Sequence, residues 1–267
     1  MKLFEEINAD FIGTERYSLY HLNRADNFLI KNSIKFFLLN TNENNLENSL
    51  KQYQMLKSID INPVLFSPNV EFFLSNNVPS KDIVETSSYS FINNFNEIIK
   101  HCNSNYVFFI SSNILLDNID EIVNRFYLTY QNFSHKLAGW TINIIGGRNL
   151  KIIPEFKIDN NIYYIPFFNK EFFCIKTEYI RKINYLSLIK DNEECHGLEY
   201  LIGFMTNQKE EYFIADLNFS LNLLNCEEID FKKILEKQYR FFEINKNVYK
   251  LNENFYNFWN ANLFDQH

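Results

Sequence analysis

Tyr106-Val107-Phe108-Phe109-Ile110-Ser111-Ser112-Asn113 carries the strongest strand signal in the chain, and its reading decides the fold. Five consecutive β-branched or aromatic residues without polar alternation mark a strand buried on both faces, as at the centre of a parallel sheet. The run breaks abruptly into Ser111-Ser112-Asn113, residues that close strands with side-chain-to-backbone turns. On either side the period turns helical. Ser87 to Cys102 sets Phe91, Phe95, Ile98 and Ile99 at helical spacing, and Ile119 to Tyr130 follows with Asp117 or Asn118 near its cap. Tyr106–Ile110 is therefore expected as a central parallel strand, with Ser111-Ser112-Asn113 at its carboxyl end facing the main cleft.

Further out, the same alternation repeats. Ile34 to Asn40 is a short apolar run fit for a buried strand. Glu43 to Ile59 spaces Leu46, Leu50, Tyr53 and Leu56 along one helix face, and Asn62 to Phe66 reads as a strand closed by Ser67-Pro68-Asn69. Strand, helix and strand in this order make a βαβ unit with a right-handed crossover. Downstream the pattern turns mixed. Leu137 to Ile145 is β-rich and ends at Gly146-Gly147, a hairpin signal. Strands are expected at Leu150–Ile153, Ile162–Pro166, Phe172–Lys176 and Tyr212–Asp216. Helices are expected over Thr177–Ile183, Gly197–Met205 and Ile229–Phe242, the last followed by an aromatic tail through Trp259.

Composition narrows the function classes. The chain has 267 residues and a formal net charge of -7, which disfavours a protein built to neutralise phosphate backbones, so nucleic acid is not the expected partner. No run reaches the roughly 18 consecutive apolar residues of a membrane helix, and no integral membrane segment is expected. Acids at Glu5 and Glu6 replace the cationic start of a signal peptide, so a cytoplasmic location is expected. Cys102, Cys174, Cys195 and Cys226 are widely spaced and read as reduced, mostly buried thiols. Zinc ligation by His101, Cys102, Cys195 and His196 is not expected, because neighbouring residues seldom converge on one tetrahedral ion. Asn clusters hint at low complexity, but 28 Phe and 16 Tyr supply more apolar surface than a disordered chain carries.

The element order from Ile34 to Asn218 resembles the GT-A fold of nucleotide-sugar glycosyltransferases, especially the family-2-like group. The resemblance implies an α/β chain, a GT-A-like single domain over 1–267. A Rossmann-type nucleotide-binding half spans about 34–133 and a mixed α/β acceptor half about 134–225, with a carboxy-terminal helix and aromatic tail over 226–267. It implies hexosyltransferase-like transfer from a donor such as a UDP-sugar to a glycan, protein or modified-base acceptor.

Three patterns carry the resemblance, the first being Asn103 to Leu116. In the resembled enzymes this strand ends in an Asp-x-Asp motif whose acids hold a divalent ion on the donor diphosphate. Here Ser111 and Asn113 stand where those acids would be, so the site lacks about two negative charges. Three outcomes follow: catalysis without a tightly bound metal, at most a weak Mn2+ or Mg2+ site through Ser111, Asn113 and Asp117, or a non-catalytic binder. Taken alone, Ser111-Ser112-Asn113 is an ordinary strand-end turn.

The second pattern, Ile165 to Ile180, is similar to the acceptor-side loop and strand, and it brings Lys170 or Lys176 toward the diphosphate. By themselves these lysines read as solvated residues at a strand edge. The third, Glu193 to Gly203, is similar to the acidic helix start near the acceptor hydroxyl. There Glu199 matches the general base, with Glu194 and His196 as neighbours or substitutes. Apart from the resemblance, Glu199 and Glu194 read as helix-start acids favoured by the macrodipole and His196 as a structural histidine. Asn40, Thr41 and Asn69, at the ends of the first two strands, lie where these enzymes contact base and ribose. The donor set implied by the resemblance is thus Asn40, Thr41, Asn69, Ser111, Ser112, Asn113 and Lys170. Gly146-Gly147-Arg148 lacks phosphate-loop spacing, although Arg148 remains within reach of a phosphate.

Overall fold

The structure, a computed structural model, describes residues 34–91, 94–146, 157–159, 161–165, 168, 170–182, 202, 205–206 and 211–224. Among these described residues the frame is one mixed ten-stranded sheet. Strands β1 (Ile34–Leu39), β2 (Val64–Ser67), β3 (Ile83–Glu85) and β4 (Tyr106–Ser111) are mutually parallel and ordered β3-β2-β1-β4. Beyond β4 come β9 (Phe172–Lys176), β6 (Leu137–Ile145), β10 (Tyr212–Leu223), β8 (Ile162–Ile165) and β7 (Lys157–Asp159), while β5 (Ile114–Leu115) pairs with the end of β10. β9 runs antiparallel to both β4 and β6. Helices α1 (Leu46–Ser58), α2 (Val70–Ser75), α3 (Phe95–His101), α4 (Ile119–Phe133) and α5 (Thr177–Arg181) cover the faces.

β4 sits at the centre, as its sequence requires. Each of its six residues is buried, with β1 parallel on one side and β9 antiparallel on the other. The period of two sends Phe36 and Phe108 into the core under α1 and α4, with Leu50, Leu56, Ile122 and Phe126. Phe37 and Phe109 enter the opposite core with Phe95, Ile98 and Tyr179. Ring pairs tie neighbouring strands. Phe36 stacks on Phe108 at 4.6 Å and Phe109 on Phe173 at 4.7 Å. Each fully buried Phe contributes about 1.5–3 kcal/mol of transfer free energy, and each ring pair adds about 0.5–1.5 kcal/mol.

Three local departures from the sequence reading have physical causes. The helix expected from Ser87 begins only at Phe95. Asn94 accepts from the Ser87 N–H at 3.1 Å and donates to the Ser88 and Ser90 carbonyls at 2.5 and 2.8 Å, which satisfies that backbone without a helix. α2 was not anticipated. Asn69 caps it, its side-chain oxygen accepting from the Phe72 N–H at 3.2 Å. β10 runs to Leu223 rather than stopping at Asp216, with a register shift between Asp216 and Ser220. β6 ends at Ile145, just before Gly146, whose φ of 82° suits glycine, and among the described residues β6 pairs with β9 and β10; the rest of the expected hairpin lies outside the described residues. The strand expected at Leu150–Ile153, most of the Gly197–Met205 helix, the Ile229–Phe242 helix and the tail lie outside the described residues.

Candidate functional site

The four parallel strands deliver their carboxyl ends to one edge of the sheet, the usual place for a ligand in an open α/β sheet. Register places Ser111 opposite Leu39, so the turn after β4 meets the loop after β1. The Ser112 N–H donates to the Leu39 carbonyl at 2.8 Å, and the Thr41 N–H donates to Ser112 Oγ at 3.0 Å. Thr41 Oγ1 lies 2.9 Å from Ser111 Oγ and 3.1 Å from Ser112 Oγ. Three hydroxyls thus share one spot.

α1 clamps this turn from the side. Asn48 and Gln52, four residues apart, share a helix face, and Asn45 stands at the N-cap position just before the helix. Asn48 Nδ2 donates to the carbonyls of Ser112 and Ile114 at 2.8 and 2.7 Å. Gln52 Nε2 donates to those of Ser111 and Ile114 at 2.9 and 2.8 Å. Asn45 Nδ2 donates to Asn113 Oδ1 at 2.6 Å, while Asn113 Nδ2 donates to Glu171 Oε2 at 3.4 Å. Gln52→Ala leaves two buried carbonyls without this donor. Stability should fall by about 1–3 kcal/mol, visible as a lower urea midpoint at unchanged slope. An unaltered midpoint would show that the clamp contributes nothing.

The donor residues expected from sequence do gather at this edge, but in different states. Ser111 and Ser112 are 2% and 0% exposed, so they shape the turn from beneath, and the half-buried Asn113 and Thr41 reach the surface. Asn40 is buried and braces β1 against β2. Its Nδ2 donates to Ser49 Oγ at 3.1 Å, and its Oδ1 accepts from Ser67 Oγ at 3.3 Å. Asn69 is half-buried at the same edge, its oxygen engaged in the α2 cap. Lys170 is exposed in the turn before β9, next to Glu171, whose carbonyl accepts from the Ser111 N–H at 2.9 Å. Lys176 corrects the reading of a solvated strand-edge lysine: it is half-buried and ion-paired with Glu211 at 2.6 Å. Glu194, His196 and Glu199 lie outside the described residues, as does Arg148.

Sequence reasoning missed the loop after β3. Thr86 donates its N–H to the Ser67 carbonyl at 3.1 Å, which fixes Thr86–Ser90 beside the β2 end of the edge. Tyr89, half-buried there, has its phenol raised above the usual tyrosine range by burial and then by the charge of Glu43, which begins the segment after Thr41. The loop thus adds an aromatic to the edge, near the Glu43 carboxylate of the segment after β1. The signal was weak because β3 is only Ile83-Val84-Glu85.

Chemically, the turn offers hydroxyls, amides and one neighbouring carboxylate, Glu171. Apart from Glu171 these are neutral oxygen donors, most already engaged, and one carboxylate among them does not fit a tightly held divalent cation, which takes several. Asp117 is exposed beyond β5, and among the described residues no three His, Cys, Asp or Glu side chains gather as a metal-binding group. The thiols Cys102 and Cys174 are free and buried. Burial pushes Cys102 up to about 12 and Cys174 well above its usual value, so neither is a nucleophile at neutral pH.

No protein-family profile matches the chain, and no curated protein matches it. Solved structures do. Glucosyl-3-phosphoglycerate synthase from Mycobacterium tuberculosis, in complex with Mg2+ and UDP, is similar with a TM-score of 0.53 at 9% identity, over 86% of this chain and 84% of that one. GalNAc-T7 with UDP, GalNAc and Mn2+ is similar with a TM-score of 0.54 at 10% identity, over 82% of this chain and 48% of that one. At such identity the likeness establishes the architecture: the chain has the GT-A fold. Among the described residues no helix is long and apolar enough to cross a membrane.

Proposed function

We propose that the chain transfers a glycosyl group from a nucleotide-sugar donor to an acceptor hydroxyl or amine. One observation carries this reading. The carboxyl ends of β1, β2, β3 and β4 share one edge of the sheet, and that edge holds a hydroxyl–amide turn which, in the sequence resemblance, takes the place of the Asp-x-Asp acids. UDP, with Mg2+ or Mn2+, accompanies the solved neighbours. In this proposal Thr41 and Asn113 touch the donor, Asn69 and Tyr89 border its base or ribose, and Lys170 approaches the leaving diphosphate. Asn40, Ser111 and Ser112 hold the edge in shape. Glu199 takes the acceptor proton, with Glu194 and His196 beside it.

A bound metal ion would supply charge neutralisation on the diphosphate. With Ser111 and Asn113 in place of acids, that task passes to cationic side chains such as Lys170 and to backbone dipoles. Donor binding should therefore depend little on metal. A thermal-shift series with nucleotides and nucleotide sugars, with manganese and then with EDTA, checks this by mass action. The expected result is a raised midpoint with one donor class, largely retained in EDTA. Loss of nearly all the shift in EDTA would identify another acid, Asp117 first, as a metal ligand.

The neutral turn also favours a second reading, a non-catalytic GT-A protein that binds a nucleotide sugar. Binding without any turnover over a panel of acceptors, even with added manganese, would support it. Release of nucleoside diphosphate coupled to acceptor glycosylation would exclude it.

A further inference from the structure

A groove of about 310 Å3 lies outside the donor edge, between α1 and β5. Met55, Leu115, Leu116 and Leu224 give it apolar walls, and Glu47 and Lys51 stand among its lining residues one helical turn apart. Those two form no ion pair with each other. The apolar surface continues past the groove. Among the described residues the exposed large apolar side chains are Leu74, Leu115, Ile145 and Leu224, and the last three lie at this end of the sheet. Asn222 of β10 pairs with Leu115 on one side and Ile145 on the other, which puts those side chains on one face, and Leu224 follows two residues later on that face. Leu115 is 39% exposed and Leu224 36%. Exposed leucines at the wall of an apolar groove mark a surface that another element covers.

We propose that the occupant is the chain's own segment 225–267, docked through the apolar face of the helix expected over Ile229–Phe242. Three arguments select it over an outside partner. Leu224 lines the groove and leads directly into the segment. From Leu224 to Ile229 the chain spans five Cα steps, at most about 18 Å, so the start of the helix is confined to this end of the sheet. Tethering on so short a link gives an effective concentration of roughly millimolar order, against which an untethered partner must compete. The segment also has apolar surface to bury. Phe231, Ile234, Leu235, Tyr239 and Phe242 follow helical spacing, and ten residues from Asn225 to His267 are aromatic. Glu47 offers a counter-charge to Lys232 and Lys233 at the rim.

Docking there has a consequence at the edge. The groove shares Asn45, Asn48 and Gln52 with the clamp on the turn after β4. The segment therefore packs on the outer side of the residues that fix Ser111–Ile114 and acts as a brace for that turn. The inference does not depend on which molecule the edge binds.

Hydrogen exchange on the full chain tests it, comparing the wild type with a Leu115→Glu, Leu224→Glu double variant. Both positions are exposed, so the sheet should tolerate the charges. Amides of 229–242 should be protected in the wild type and exchange at least about tenfold faster in the variant, while β1 and β4 keep their protection. If the double variant disturbs β1 and β4, Met55→Glu on the helix side of the groove puts the same question and should give the same loss. Residues 229–242 open already in the wild type, or equally protected in the variants, would overturn the proposal. So would a change from dimer to monomer in light scattering, which would assign the groove to a second copy of the chain.

Discussion

Phe108→Ala is expected to lower the stability of the whole chain by about 3–5 kcal/mol, the usual cost of truncating a fully buried Phe. The residue is 0% exposed and touches both sides of the sheet's midline. Its ring stacks on Phe36 at 4.6 Å and meets Phe126 at 5.0 Å, both in the first half of the chain. It also meets Trp140 at 6.1 Å and Phe172 at 6.0 Å, in the second half. A cavity there removes packing from both halves at once. For a chain of this size the melting midpoint should drop by roughly 6–20 °C. The form of the transition matters as much as its position. Because one sheet and one ring cluster run across β4 and β9, the halves should unfold together, in a single transition shared by calorimetry and near-ultraviolet circular dichroism. Two separated transitions in the variant, only one of them shifted, would place a domain boundary between β4 and β9 and refute a single cooperative unit over both halves.

How the sequence revealed this fold follows from what each element buries. β1 and β4 are buried along most or all of their length, so their runs are continuously apolar and legible without tertiary information. α1 was legible because Leu50, Tyr53 and Leu56 lie on its buried face. β3 was not, since three residues carry no period. The start of α3 was misread because Phe91 continues the helical spacing, while Asn94 closes the preceding loop by hydrogen bonds that spacing cannot reveal. The far end of β10 shows the opposite error. Leu217, Phe219, Leu221 and Leu223 alternate strictly with polar residues, a strand pattern that extends past the Asp216 end expected from the apolar run alone.

The site was legible in position rather than in state. That Ser111-Ser112-Asn113 ends a central strand followed from the apolar run alone. That Ser111 and Ser112 are buried, with their carbonyls held by Gln52 and Asn48, did not. Those amides are polar residues on α1, and a sequence pattern assigns polar residues to solvent. A neutral turn of this kind has a physical rationale. Carboxylates at Ser111 and Asn113 would repel each other and a bound diphosphate unless a cation intervened, whereas hydroxyls and amides hold the turn with no counter-ion.

Glu199 carries the heaviest weight in the enzymatic reading, and one substitution decides its role. Glu199→Gln keeps the size of the side chain and most of its hydrogen-bonding capacity but removes the proton acceptor. If Glu199 is the general base, turnover should fall by about 10²–10⁴-fold, the usual contribution of a positioned acid–base group. Donor affinity and Tm should change little, because the base faces the acceptor rather than the nucleotide. If Glu199 is instead an acid favoured at a helix start, the variant loses up to about 1 kcal/mol of stability and keeps its turnover. The two roles move different quantities, so kcat, donor Kd and Tm measured on the same preparation separate them. A variant that keeps full turnover passes the question to Glu194→Gln and His196→Asn. An unchanged rate in all three would remove side-chain base catalysis by this segment, and the neutral turn after β4 would then be better read as the floor of a binding site than of a catalytic one.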